Sequence, residues 1–143
     1  MVSASSELKG SEGYQFDVVD LSRQVLANYA LVLQRKWVAA YKAKDERKFN
    51  IYSQQYIRLI DDLDVLLASH HDFLHGKWVA EARACGNTKA EKDLYEQNAK
   101  NLITLWGDKD AILHEYACRQ WSGLLTDFYK PRWEQFFKVL SLD

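Results

Sequence analysis

The chain has 143 residues, 48% of them hydrophobic and 13% aromatic, and 19 basic residues against 20 acidic ones give a formal net charge of −1. That is one ordinary domain with a real core, and the balanced charge excludes a nucleic-acid binder driven by electrostatics, which needs a basic stripe. One proline and six glycines suit long helices rather than a sandwich or barrel, and no run approaches the roughly 20 apolar residues of a membrane-spanning helix.

The N-terminal "MVSASSELKGSEG" lacks the apolar centre of a signal peptide. Small, polar and punctuated by glycine, residues 1–14 read as a linker, leaving 15–143 as a single helical domain. A long helical pattern runs from Asp17 to about Lys44 with two offset apolar stripes. One is Val18, Leu21, Val25, Tyr29 and Val32; the other is Leu26, Leu33, Trp37 and Tyr41. Two stripes predict a helix touched on more than one side. The next helix, Glu46 to Ala68, places Phe49, Tyr52, Tyr56, Leu59, Leu63 and Leu66 at the 3-4 spacing of a single face. A shorter helix covers about Asp72 to Cys85 and stops at Gly86, a C′ residue. Thr88 and Glu91 then have capping-box spacing. The helix they open is expected to run to about Trp106, where Gly107 takes a positive φ and ends it. From Asp108 or Asp110, a last stripe of Ile112, Leu113, Tyr116, Ala117, Trp121, Leu124 and Phe128 predicts further helix. Pro131 has no N–H to donate, so a kink or break is expected near Tyr129–Lys130 before "RWEQFFKVL" continues. The sum is an all-α bundle of five to six helices with short connections.

Little of this sequence reads as reaction chemistry. Asp61 and Asp64 share a helix face while Asp62 points elsewhere; without a partner at fixed geometry they read as a solvated face. His71 and His75 stand at i, i+4 but lack the glutamate of HExxH and a clear third ligand, so a structural or merely surface pair is the reading and no metal is expected. There is no glycine-rich phosphate loop and no nucleophile arrangement, so no cofactor or catalytic residue is assigned. Cys85 and Cys118 form no CxxC and read as two buried thiols, able to pair only where the fold brings them together. What remains is aromatic: Trp106, Tyr116, Trp121, Tyr129 and Trp133 crowd the end of the chain. Core packing accounts for most such rings, yet indole and phenol need polar partners, so some should lie at an edge. An aromatic face at a cleft edge is a wall for the C–H face of a sugar or similar ligand.

The same residues carry a family resemblance. "LYEQNAKNLITLWGD" followed by "ILHEYACRQWSGLLTDFYKPRWEQFF" resembles the C-terminal helical domain of the α-N-acetylglucosaminidases, glycoside hydrolases that remove terminal N-acetylglucosamine from α-linked glycans. Upstream, "DVVDLSRQVLANYA" and "LIDDLDVLLASHHDFLHGKWVAEAR" are similar to earlier stretches of that domain, and the resemblance covers roughly residues 15 to 140. "LWG" and "FYKPRW" are its most specific parts; "ACRQWSG" and the "HHDFLH" histidines depart from it. The resemblance implies a larger enzyme whose two catalytic glutamates lie in a (β/α)8 barrel. Such a barrel needs about 250 residues and has no counterpart here, so the chain is expected to be inactive alone. It also implies that the helical domain packs on the barrel and helps wall the sugar pocket. Trp106 would then be a pocket-wall aromatic, with Asp110 and Tyr116 contributing beyond it, and Trp121 and Arg132 supporting the packing. The implied partners are the barrel of the same polypeptide and a glycan ending in α-N-acetylglucosamine, and the implied location is extracytoplasmic. Beside this stands a second reading, a stand-alone helical module that binds a protein or a carbohydrate through its aromatic patch.

Overall fold

A computed structural model of the chain describes residues 5–141. Its helices are α1 (Ser5–Leu8), α2 (Glu12–Lys42), α3 (Glu46–Ala68), α4 (His75–Ala84), α5 (Lys89–Ile103) and α6 (Lys130–Leu140). A 3₁₀ turn (His71–Phe73) precedes α4 and a π turn (Leu125–Tyr129) precedes α6. The fold is all-α.

α2 and α3 form a long antiparallel hairpin. The turn between them closes because Lys44 adopts φ +53, which lets Asp45 N–H reach the Ala40 carbonyl at 3.0 Å. Asp45 then caps α3 by accepting from Lys48 N–H. Two buried clusters run along this hairpin. Near its open end, Val19 meets Leu63, Leu67, Phe73 and Leu125; near its turn, Trp37 and Ala40 meet Phe49 and Phe137. Of the two expected stripes on α2, Leu33 and Trp37 are buried, whereas Leu21, Val25, Tyr29 and Val32 remain 43–59% exposed.

α2 starts at Glu12, earlier than expected, because the Ser11 side chain accepts from Tyr14 N–H. The segment read as a linker therefore contains α1 and the start of α2, while residues 1–4 lie outside the described part. The capping box of α5 is present, Thr88 accepting from Glu91 N–H at 3.2 Å and Glu91 from Thr88 N–H at 3.1 Å. α4 and α5 make a second hairpin, held by Trp78 Nε1–H donating to the Ala99 carbonyl at 2.9 Å. Arg83 Nη1, 3.0 Å from Asp93 Oδ1, also pairs with Glu96, and these bonds hold both carboxyls below their usual range, with Lys89 and Lys100 the largest contributors.

The end of the chain departs from expectation. α5 stops at Ile103, and residues 108–120 form turns and bends rather than helix. The stripe through Ile112, Leu113 and Tyr116 is exposed. Helical spacing alone cannot prevail here, because Asp108 accepts from Asp110 N–H, the local turn bond that competes with helix. The break expected at Pro131 takes the form of the π turn. Lys130 N–H bonds Leu125 O, one residue beyond the α register, and the wider turn accommodates the proline ring against the preceding carbonyls.

Asp61 and Asp64 are not a solvated face. Asp64 accepts from Gly123 N–H at 2.8 Å, Ser122 Oγ at 3.1 Å and Thr126 Oγ1 at 3.4 Å. Asp61 accepts from Lys130 Nζ at 2.7 Å. Together they fasten the start of the C-terminal helical segment to α3. Cys85 and Cys118 are both exposed and free rather than buried.

Candidate functional site

The irregular segment between α5 and the π turn carries the residues of interest. At the end of α5, Thr104 N–H bonds back to Lys100 O and Trp106 N–H reaches Asn101 O at 2.7 Å. Trp106 is itself left-handed, at φ +71, and redirects the chain after this bond. Gly107, expected to supply the positive φ, does not; among the described glycines that conformation belongs to Gly123. Gly107 is needed for space instead, since a Cβ there would lie 2.5 Å from Ala111 Cβ. The chain then turns through Asp108, whose carbonyl accepts from Ala111 N–H at 3.1 Å, and returns where Glu115 N–H meets Leu105 O at 3.4 Å.

That return brings two of the three candidate residues together. The rings of Trp106 and Tyr116 lie 5.0 Å apart, tilted by 52°, a favourable aromatic geometry. Trp106 is 38% exposed and Tyr116 63% exposed, so the pair is a surface feature. Asp110 sits on the same loop with its carboxylate 3.8 Å from Lys109 Nζ. The other late aromatics face inward. Trp133 joins the Trp37–Phe137 cluster, and Trp121 packs beside the Leu63–Leu125 cluster, 5.8 Å from Trp78. Tyr129 lies against that same cluster, and burial raises its pKa, with Glu115 adding to the shift.

Two residues shape the loop that spacing did not single out for it. Glu115, at φ +55, forms an ion pair with Arg132 of α6, and the Arg132 guanidinium lies 5.1 Å over the Phe128 ring. Arg132 was legible only through the "FYKPRW" motif; Glu115 had no local signal, since its partner is 17 residues away. Behind the loop, Glu115 and Arg119 rim an apolar cleft of about 330 Å3 walled by Leu26, Ala30, Tyr56 and Trp133.

The donor atoms of His70, His71 and Asp72 lie within 4.8 Å of one another. His70 Nδ1 accepts from Asp72 N–H at 3.3 Å, and the Asp72 carboxylate lies 3.2 Å from His71 Nε2 and 3.3 Å from Lys77 Nζ, while His70 Nε2 is buried without a hydrogen-bond partner. This is the cap of a 3₁₀ turn, and His75, the other half of the expected pair, belongs to α4. Burial, then the charge of Lys100, lowers the pKa of His75.

The bundle thus carries a pair of exposed aromatics on its irregular loop, while Asp61 and Asp64 anchor the C-terminal helical segment. The chain belongs to the α-N-acetylglucosaminidase (NAGLU) C-terminal domain family, whose model matches residues 1–143. Human α-N-acetylglucosaminidase is 33% identical over 144 residues, covering 98% of this chain and 19% of its own length. Among solved structures, a family 89 glycoside hydrolase from Clostridium perfringens in complex with PUGNAc superposes with a TM-score of 0.93 at 33% identity, over 99% of this chain and 17% of that one. CpGH89 from the same organism, in complex with its substrate GlcNAc-α-1,4-galactose, gives 0.92 at 33% identity over 97% and 16%. The chain thus spans about a fifth or less of the relatives it matches.

Proposed function

We propose that this chain, as one helical domain in which α2 begins at Glu12 rather than after residue 14, serves a larger glycoside hydrolase that releases terminal α-linked N-acetylglucosamine. It packs on a catalytic (β/α)8 barrel of the same polypeptide, contributes no catalytic carboxylate, and lends Trp106 and Tyr116 to the wall of the sugar pocket, with Asp110 beside them. Family membership and the substrate named for the Clostridium relative support the reaction class. The observation that carries the site is the exposed Trp106–Tyr116 pair on the loop after α5. A tilted aromatic pair offers an apolar face to the C–H groups of a pyranose, and neighbouring polar groups fix its orientation.

The test is Trp106→Ala in the full polypeptide, assayed with a chromogenic α-N-acetylglucosaminide. A lost aromatic contact costs on the order of 1 kcal/mol, which predicts about a fivefold rise in KM with little change in kcat. Thermal melts of the same variant should stay close to wild type, because removing a core tryptophan would cost roughly 3–5 kcal/mol. Unchanged KM, or a collapse of the melting temperature, overturns the assignment. The 143-residue chain alone should show no turnover above background.

A further inference from the structure

We propose that Arg132 and Glu115 are positioning residues, a clamp that holds the Trp106–Tyr116 pair in register; this rests on the pocket-wall reading above. Three non-glycine residues of this segment are left-handed, Trp106 at φ +71, Glu115 at +55 and Cys118 at +47. L-residues avoid that region unless their surroundings over-determine it. Glu115 is where those constraints meet. Its N–H bonds Leu105 O at 3.4 Å, its carbonyl accepts from Cys118 Sγ at 3.0 Å, and its carboxylate pairs with Arg132. Leu105 precedes Trp106 and Tyr116 follows Glu115, so fixing Glu115 fixes both rings.

The other jaw is rigid. Arg132 lies in the first turn of α6 beside Pro131, its guanidinium rests over Phe128, and neighbouring Lys130 is tied to Asp61 of α3 at 2.7 Å. The planar guanidinium can stack on the ring and fork onto the carboxylate together, which lysine cannot reproduce. The pair is half-exposed, 52% for Arg132 and 34% for Glu115. Exposed pairs contribute little to global stability, so breaking this one should release the loop and leave the bundle folded.

The experiment compares wild type, Arg132→Met, Arg132→Lys and the exchanged pair Glu115→Arg/Arg132→Glu in the full polypeptide, by hydrogen–deuterium exchange and by kinetics on the chromogenic α-N-acetylglucosaminide. In Arg132→Met, peptides covering 105–116 should exchange about two- to fivefold faster while those of α2 and α3 are unchanged, and KM should rise about twofold or more with kcat nearly constant. Arg132→Lys and the exchanged pair keep the opposite charges but not the guanidinium over Phe128, so each should restore part of both effects. Unchanged exchange over 105–116 in Arg132→Met overturns the clamp, as does failure of the exchanged pair to restore any part of it. Faster exchange with unmoved KM overturns the link from loop order to sugar binding. Failure of the pocket-wall reading shows separately, as Trp106→Ala without a kinetic effect.

Discussion

At Gly107 the restriction on the side chain is spatial. Its φ lies outside the left-handed region, yet any Cβ would press on Ala111 at 2.5 Å, far inside van der Waals contact. Gly86 is similar, with a Cβ 2.7 Å from Lys92 N, so the turn into α5 also depends on a missing side chain. Gly107→Ala should destabilise the chain by roughly 1–3 kcal/mol, the usual cost of forced overpacking. Because the clash is with one methyl group, adding Ala111→Gly should recover most of it. Melting curves of the single and double variants check this, and a double variant no better than the single one would place the strain elsewhere.

Among the elements, the C-terminal helical segment depends most on a single foreign residue. Asp64 of α3 receives one backbone and two hydroxyl hydrogen bonds at the entry to the π turn. The adjacent Ser122 N–H bonds Phe73 O at 2.8 Å and Ser122 O accepts from His75 N–H at 3.0 Å. One short stretch therefore joins α3, the start of α4 and the C-terminal helix. Hydrogen bonds to a charged acceptor contribute about 1.5–3 kcal/mol. Asp64→Asn should lower the melting temperature by roughly 5 °C or more, and Asp62→Asn, on the exposed side of the same helix, should change it little. Equal effects of the two substitutions would show that the anchor carries no particular weight.

For the whole molecule, the unpartnered face of α2 decides how it behaves alone. Leu21, Val25, Tyr29 and Val32 follow one another at helical spacing, each 43–59% exposed. Contiguous apolar surface of this kind marks a contact. In the proposed enzyme that contact is the rest of the polypeptide; for the chain alone it predicts self-association. Light scattering should show a mass that rises with concentration, and Val25→Glu with Tyr29→Lys should abolish the rise without moving the melting temperature. A wild-type chain that stays monomeric at all concentrations would contradict this.

The sequence by itself determined the helices whose cause is local. Glu46–Ala68 has the bounds its periodicity predicts, and α5 begins at the Thr88–Glu91 capping box, because caps and 3.6-residue stripes act over a few neighbouring residues. It carried that helix on to Trp106, whereas α5 ends at Ile103 and Trp106 lies in the irregular loop beyond, the segment the family resemblance singled out. Tertiary structure decided the rest. The apolar spacing from Ile112 to Tyr116 suggested helix, but the conformation there is fixed by Leu105 and by Arg132 on another helix. Asp61 and Asp64 looked solvated because Lys130 and Gly123 are 69 and 59 residues away. The pairing of Trp106 with Tyr116 follows from the same kind of contact: a left-handed turn at Trp106 and a salt bridge at Glu115, neither of which leaves a periodic trace in the chain.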